Sequence, residues 1–591
     1  LSELSDDGIV MNILLMLIGG ATGSTAGGMK LTTVAVLAIS AHSVLHRKKD
    51  ATAFGRRIGT GVIFDAAAVF SLYFIESVLY YRISESKEKK FMTETKSDGA
   101  LSMRGFMICL HQMHDFMPWF GPNLRGIETI LDAMAESKLN TLLFEYEAYY
   151  PWSGENRRIC ASDAFSEADI AAIQSMAKER GIEIIPLVQV LGHVYHILIH
   201  PEYAACAEDP QIPQQLCPLS EEARTLARQL IDDTIRLHPG LRYIHLGGDE
   251  CEQLGHCPRC AAYAKGHGLA KLFLSYMRFV TDYALSKGVT PILWHDIALR
   301  HPECLAEFDE RVIFEFWNYG DASHGSPEIP FRQLLKTIPA NRVIVSPGAR
   351  AEKQHGALHH STALVEANIR EMNELATEAG ALGSILTDWP DTGCSFFDSF
   401  YALRVQGAVS SGQTDSFQFR REYAERVFGM SAPELPVYLD SIAGLTAFAP
   451  GFQSWQQSLN RYDRAPYNFG ELLRGVLRDY AECNGEYRLY ELVARWKSVQ
   501  FFGEMLAECR PYCQRNETEF VWYRLLAELT EMFLLMELGV LKECFVRKYF
   551  DKVSDEILAR FQSREFLRRA LTLWNRAEAD FRAFYSPYTG G

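Results

Sequence analysis

Two carboxylates stand side by side in His245-Leu246-Gly247-Gly248-Asp249-Glu250. Carboxyl groups can pass a proton to a leaving group, take one from water, or stabilise a growing positive charge. The apolar run 241–244 before them reads as a buried strand, and the two glycines allow a tight turn at its end. Other segments of the same kind end on similar chemistry. One is followed by His111 and Gln112, and another leads into Glu145 and Glu147, then Tyr149-Tyr150-Pro151-Trp152. Further ends carry Gln189 to His193, Trp294-His295-Asp296, Trp317-Asn318-Tyr319 and Asp388-Trp389-Pro390-Asp391. Three of the nine Trp fall at such ends, mixed with acids, which suits the apolar faces and the hydroxyls of a sugar ring. A buried, satisfied imidazole is the plain alternative for both His193 and His245.

The elements needed to bring these residues together are legible as alternation. Short apolar runs at 105–110, 140–146, 183–188, 242–246, 290–294, 312–317, 342–346 and 383–387 read as strands. Between them lie helical patterns at 124–137, 221–237, 261–286, 332–337 and 363–379, and one that Ser166-Glu167-Ala168-Asp169 caps and Gly181 ends. Eight strand–helix units predict an α/β fold, a (β/α)8 TIM barrel over 103–432, with the strand ends at one mouth. A doubly wound open sheet is the alternative. Beyond residue 433 strand signals vanish, and 472–506, 517–546 and 554–584 predict an all-α C-terminal domain. The net charge of −15 argues against nucleic acid as a partner. No signal peptide opens the sequence, and thirteen Cys follow no even framework, so the reading is reduced thiols in a cytoplasmic protein.

The motif His-x-Gly-Gly-Asp-Glu resembles the signature of glycoside hydrolase family 20, the β-N-acetylhexosaminidases. Residues 140–147, Ile185-Pro186-Leu187-Val188-Gln189 leading to Gly192-His193, and Thr387-Asp388-Trp389 strengthen the likeness, which is greatest to the hexosaminidase D-like branch and covers about 103–430. The resemblance implies substrate-assisted hydrolysis with retention, in which the sugar's own 2-acetamido oxygen attacks the anomeric carbon. It assigns Glu250 as general acid and then base, and Asp249 as the holder of the acetamido N–H, with the neighbouring charge tending to raise the Glu250 pKa. Tyr319 would bond the acetamido oxygen, and Trp294, Trp317 and Trp389 would enclose the acetamide and the sugar face. Glu147 and Asp391 would bind outer hydroxyls, while His193 and His245 would orient the acids. The implied substrate is a glycan or glycoconjugate ending in N-acetylglucosamine or N-acetylgalactosamine, with no cofactor. One departure stands out. Where many members carry an Asp and then an Arg after strand one, this sequence has Cys109-Leu110-His111-Gln112-Met113. A catalytically silent sugar-binding barrel is the competing reading.

The first 85 residues have another character. Apolar runs at 9–18, 34–45 and 58–81 flank Gly19-Gly20-Ala21-Thr22-Gly23-Ser24-Thr25-Ala26-Gly27-Gly28 and the basic His46-Arg47-Lys48-Lys49. The pattern resembles the Trk/Ktr potassium transporters, implying a filter turn near Gly23 within a membrane-type helical fragment. Such a pore needs four repeats around one axis, and one filter turn cannot conduct alone, so a non-functional remnant is expected, with membrane association only if this piece is retained. Residues 86–102 read as a linker. Finally, Cys257-Pro258-Arg259-Cys260 has the spacing of half a zinc site, near Cys251, His256 and His267, with Cys217 the candidate from the preceding loop. The preferred reading is plain thiols with no metal ligand, and an oligomer is left open.

Overall fold

The computed structural model describes residues 52–53, 56–57, 100–110, 123–296, 300–320, 325–350, 361–389, 396–446, 486–549, 563–585 and 587–588. The apolar runs become eight parallel strands: β1 (Met103–Cys109), β2 (Thr141–Glu145), β3 (Glu183–Leu187), β4 (Tyr243–His245), β5 (Thr290–Trp294), β6 (Ile313–Trp317), β7 (Val343–Ser346) and β8 (Gly383–Leu386). Each pairs with its neighbour in sequence, and β8 closes on β1 with Gly383 beside Met103 and Leu386 beside Phe106. That closure makes a barrel and rules out the open sheet.

Period-2 alternation sets the two faces of each strand. Met107, Leu143, Ile185, Leu187, Ile292, Ile344 and Ile385 point into the barrel and fill it. Phe106, Ile108, Leu142, Phe144, Ile244 and Phe314 face outward and pack under the helices. Those helices are α1 (Leu124–Glu136), α2 (Glu167–Glu179), α3 (Glu221–Leu237), α4 (Pro258–His267), α5 (Leu269–Ser286), α6 (Glu328–Leu334), α7 (Thr362–Ala379) and α8 (Phe400–Ser410). Side-chain caps start several of them. Asn123 accepts from two backbone N–H groups of α1, and Ser166 with Asp169 forms a capping box on α2.

Two helices depart from the sequence pattern. The expected helix 261–286 is two helices, α4 and α5, separated at Gly268, whose φ of 87° is left-handed and breaks the i→i+4 ladder. The helix expected at 332–337 begins earlier, at Glu328, and ends at Leu334.

After the barrel come α9 (Ser416–Phe428), α10 (Leu435–Thr446), α11 (Glu486–Cys509), α12 (Glu517–Tyr549) and α13 (Ser563–Tyr585), with no strand among the described residues. Gly99–Cys483 with Trp496–Gly591 form one compact unit. Of the N-terminal segment only a short antiparallel pairing, Thr52–Ala53 with Arg56–Arg57, is described. The expected filter turn and membrane helices lie outside the described residues. Among the described residues no helix is long and apolar enough to cross a membrane.

Candidate active site

β4 ends at His245, which is fully buried. Its Nδ1 accepts the Gly247 N–H at 3.0 Å, so the ring hydrogen belongs on Nε2, which faces Glu315 Oε2 on β6 at 3.4 Å. Burial drives both groups toward their uncharged forms: the imidazole down to about 3 and the carboxyl up to about 8, with Ser346 Oγ bonded to the other Glu315 oxygen at 2.5 Å. His245 thus pins the turn that carries the acids. Both residues of that turn have to be glycine. Gly247 and Gly248 have φ of 65° and 93°. A Cβ at Gly247 would lie 1.9 Å from Gln189 Oε1, and one at Gly248 2.8 Å from Met277 Cε.

The turn separates two neighbouring carboxylates into different surroundings. Asp249 is buried, and its Oδ1 has no hydrogen-bond partner among the described residues. Glu250 has a side chain 54% exposed and a φ of 45°. Its backbone N–H is held by Asp296 Oδ2 at 3.0 Å. His193 Nε2 lies 3.5 Å from Asp249 Oδ2 and 3.5 Å from Glu250 Oε2. The Asp249 charge, reinforced by Glu250 and opposed by burial, lifts the His193 pKa to about 10, so the imidazole is a cation. Burial pushes Asp249 up to about 6 against the pull of His193, and burial with the Asp249 charge pushes Asp296 up to about 7.

Five described non-glycine residues have positive φ, and three of them, Glu147, His193 and Glu250, are at this mouth. A left-handed backbone at such residues costs roughly 1–2 kcal/mol each, and such strain gathers where function needs a side chain aimed unusually. His193 is carried on a close approach: a Cβ on the preceding Gly192 would lie 2.6 Å from Asp249 O.

The aromatic residues form an arc. Trp294 is 1% exposed, lies against His245 at 4.3 Å between ring centroids, and meets Trp389 at 6.0 Å. Trp389 Nε1 donates to the Tyr319 hydroxyl at 2.6 Å, and Tyr319 stacks on Trp317 at 5.5 Å. Having accepted there, the Tyr319 oxygen directs its own hydrogen elsewhere. Glu147 is buried beside His196, with Oε1 3.6 Å from Nδ1. Asp391, His111 and Gln112 lie outside the described residues.

Sequence reasoning gave no site role to four residues that hold this mouth, although it set Glu145 and Asp296 at strand ends. Asp296 and Glu315 had a usable signal, being acids within two residues of a strand's C-terminal end. Glu145 had the same position on β2, where it accepts from Gln189 Nε2 and the Cys109 thiol at 3.0 Å each. Arg350, four residues past β7, had none; buried, it binds Asp388 Oδ1 at 2.5 Å and Ser399 Oγ at 3.0 Å.

Residues 143–329 match the model of the glycosyl hydrolase family 20 catalytic domain, and residues 1–94 match that of a cation transport protein. Hexosaminidase D of Bos taurus is 35% identical over 188 residues, covering 31% of this chain and 54% of its own length. Hexosaminidase D of Homo sapiens is 35% identical over 186 residues, 31% of this chain and 38% of its own length. Potassium/sodium uptake protein NtpJ of Enterococcus hirae is 41% identical over 68 residues, 12% of this chain and 15% of its own length. The chain therefore spans about half or less of each of these curated relatives. The stretch of barrel that carries the Asp249-Glu250 pair at the end of the fourth strand is thus similar to the glycosyl hydrolase family 20 catalytic domain, and the segment ahead of the barrel is similar to a cation transport protein.

Proposed function

We propose that the barrel is an exo-acting β-N-acetylhexosaminidase that removes terminal N-acetylglucosamine or N-acetylgalactosamine with retention, by substrate-assisted catalysis. The observation that carries this reading is the unequal setting of two adjacent acids. A retaining glycosidase with its own nucleophile needs carboxylates about 5–5.5 Å apart on opposite sides of the bond. Neighbours on one turn do not flank a sugar in that way. They suit a reaction in which the substrate supplies the nucleophile.

In that reaction the Glu250 O–H gives its proton to the glycosidic oxygen. The acetamido oxygen attacks the anomeric carbon as the bond to the leaving group breaks, forming an oxazolinium ion. Asp249, through its unpartnered oxygen, accepts the acetamido N–H and stabilises the new positive charge. Tyr319 donates its hydroxyl hydrogen to the acetamido oxygen, while Trp317 and Trp389 wall the acetamide, with Trp294 beneath. Glu250, now a carboxylate, takes a proton from water as the oxygen of that water bonds to the anomeric carbon and the bond from that carbon to the acetamido oxygen breaks, which opens the oxazolinium ring and restores the 2-acetamido group. His193 holds both acids by charge, His245 fixes their turn, and Glu147 and Asp391 bind outer hydroxyls. Working location is cytoplasmic, or at a membrane if the first 85 residues insert; that segment does not conduct ions by itself.

The test is turnover of aryl β-N-acetylglucosaminide and β-N-acetylgalactosaminide, with NMR on the first-formed anomer. Release of the β-anomer is expected. Folded protein that binds N-acetylhexosamine yet releases nothing from either compound would instead establish the silent sugar-binding barrel. Glu250→Gln should lose about 10²–10⁴-fold in kcat with poor leaving groups and much less with activated aryl groups.

A further inference from the structure

A second constellation lies behind the catalytic loop. Glu208, Cys217, Cys257 and Cys260 each offer one ligand atom, and these four atoms all lie within 4.8 Å of one another. They come from two separate pieces of chain. The segment after β3 folds back as a hairpin, with Ala207 bridged to Leu216 and the Glu208 N–H donating to Gln215 O at 2.9 Å, which sets Glu208 and Cys217 side by side. The segment after Glu250 runs into α4, where Cys257 is the N-cap, Pro258 takes the first helical position and Cys260 falls in the first turn.

From this we infer that Cys217, Cys257, Cys260 and Glu208 form a structural zinc(II) site. A tetrahedral ion with zinc–sulfur bonds of about 2.3 Å places its sulfurs about 3.8 Å apart. Cys217 Sγ lies 3.5 Å from Cys260 Sγ and 3.7 Å from Cys257 Sγ. Those separations are far beyond a disulfide bond of about 2.05 Å and close to the edges of a single-ion tetrahedron. A two-iron cluster would need thiols spread over two metals, which four ligand atoms within 4.8 Å do not allow.

The surroundings suit thiolates. The Cys260 N–H donates to Cys257 Sγ, and Arg259 Nη2 donates to Cys217 Sγ, both at 3.3 Å. The carboxylate is the independent pointer to a ligand. Glu208 is 2% exposed; its Oε1 accepts the Cys257 N–H at 3.0 Å, while Oε2 is buried with no hydrogen-bond partner among the described residues. A buried carboxylate oxygen left in that state is costly, and a zinc ion supplies its partner. The ligands differ from the residues the spacing suggested: Cys251 turns its thiol to Asp249 O at 3.2 Å, and neither His256 nor His267 belongs to the group.

The ion's place gives it a purpose distinct from the chemistry. Gln253 already ties the stretch between Glu250 and Cys257 to the hairpin, its N–H to Gln215 Oε1 at 3.1 Å and its amide to Ile212 O at 2.8 Å. Zinc fastens the far end of that stretch to the loop that carries His193, so the two pieces of chain bearing the acids and their cation are clamped together.

The full chain, purified in detergent and reducing buffer without chelator and then incubated with zinc and desalted, should hold about one zinc per chain by elemental analysis. Cys257→Ser/Cys260→Ser should hold none. Cobalt(II) added to chelator-stripped wild-type protein should give the intense visible bands of a tetrahedral thiolate site, a readout that does not depend on the variant folding or on activity. Zinc below one fifth of that stoichiometry after loading, retention of zinc by the double variant, or cobalt spectra without thiolate bands would each overturn the site.

Discussion

His193 faces two acids to which the proposed reaction gives different work. In the proposed reaction Asp249 is ionised when it holds the acetamido N–H, so activity should fall as pH drops through its pKa, which burial has raised to about 6. The His193 cation, itself held up to about 10 by Asp249, opposes that rise. Replacing it as His193→Gln removes the opposing charge. The Asp249 pKa then climbs further, and the acid limb of kcat/KM should move to higher pH by about one unit. A pH–rate profile on an aryl glycoside checks this; an unmoved limb would mean that His193 does not act as the counter-charge. At this scale the sequence was generous with residues displayed after a strand, and most of the expected mouth is assembled. It assigned nothing to a residue that acts by holding another in place. Asp296 works by holding the Glu250 N–H, and Arg350 by holding Asp388. Such contacts depend on which strands become neighbours, not on spacing along the chain.

The turn after β4 and the break between α4 and α5 both rest on glycine, for different physical reasons. At Gly268 the φ of 87° is the whole requirement, since a Cβ there would meet nothing within 4 Å. At Gly247 the same kind of backbone is joined by a collision with the Gln189 amide. Gly268→Ala should therefore cost about 1 kcal/mol and leave turnover near wild type. Gly247→Ala has to displace Gln189, and with it a ligand of Glu145, or shift the acids. A loss of more than about 10²-fold in kcat is expected, because small misplacements at a reacting centre are that costly. Thermal melts and kinetics on the two variants separate the cases; equal losses of turnover would refute the argument. The break at Gly268 also explains why periodicity read 261–286 as continuous. Apolar residues keep helical spacing on both sides, and a single interior glycine is usually tolerated.

Barrel and following helices are joined by a charge that no local pattern announces. Eight strands were countable because each has its own alternation and its own flanking helix, and closure followed from the count. The contacts that fasten α12 to the barrel span 115 residues or more and left no trace in spacing. Arg404 on α8 is 7% exposed. It donates to Glu136 at the end of α1 at 2.7 Å and to Glu519 on α12 at 3.1 Å. Glu519 is itself 3% exposed and accepts from the Tyr423 hydroxyl at 3.3 Å. Removing one partner of a buried ion pair leaves the other uncompensated, at a cost of about 3–5 kcal/mol. Arg404→Leu should lower the urea midpoint accordingly, and Arg404→Leu/Glu519→Leu should recover part of the loss, because the stranded charge is then gone. The deficit should also depend on pH in a definite direction. Without Arg404, burial holds the Glu519 pKa further above its unfolded value, so the folded state binds its proton more tightly than the unfolded chain does. The destabilisation is then small below the unfolded carboxyl pKa and grows as pH rises past it, making the single variant lose less at about pH 5 than at about pH 8. A deficit equal at both pH values would assign the cost to lost packing of the Arg404 side chain, and the ion pair would not be what joins the two parts.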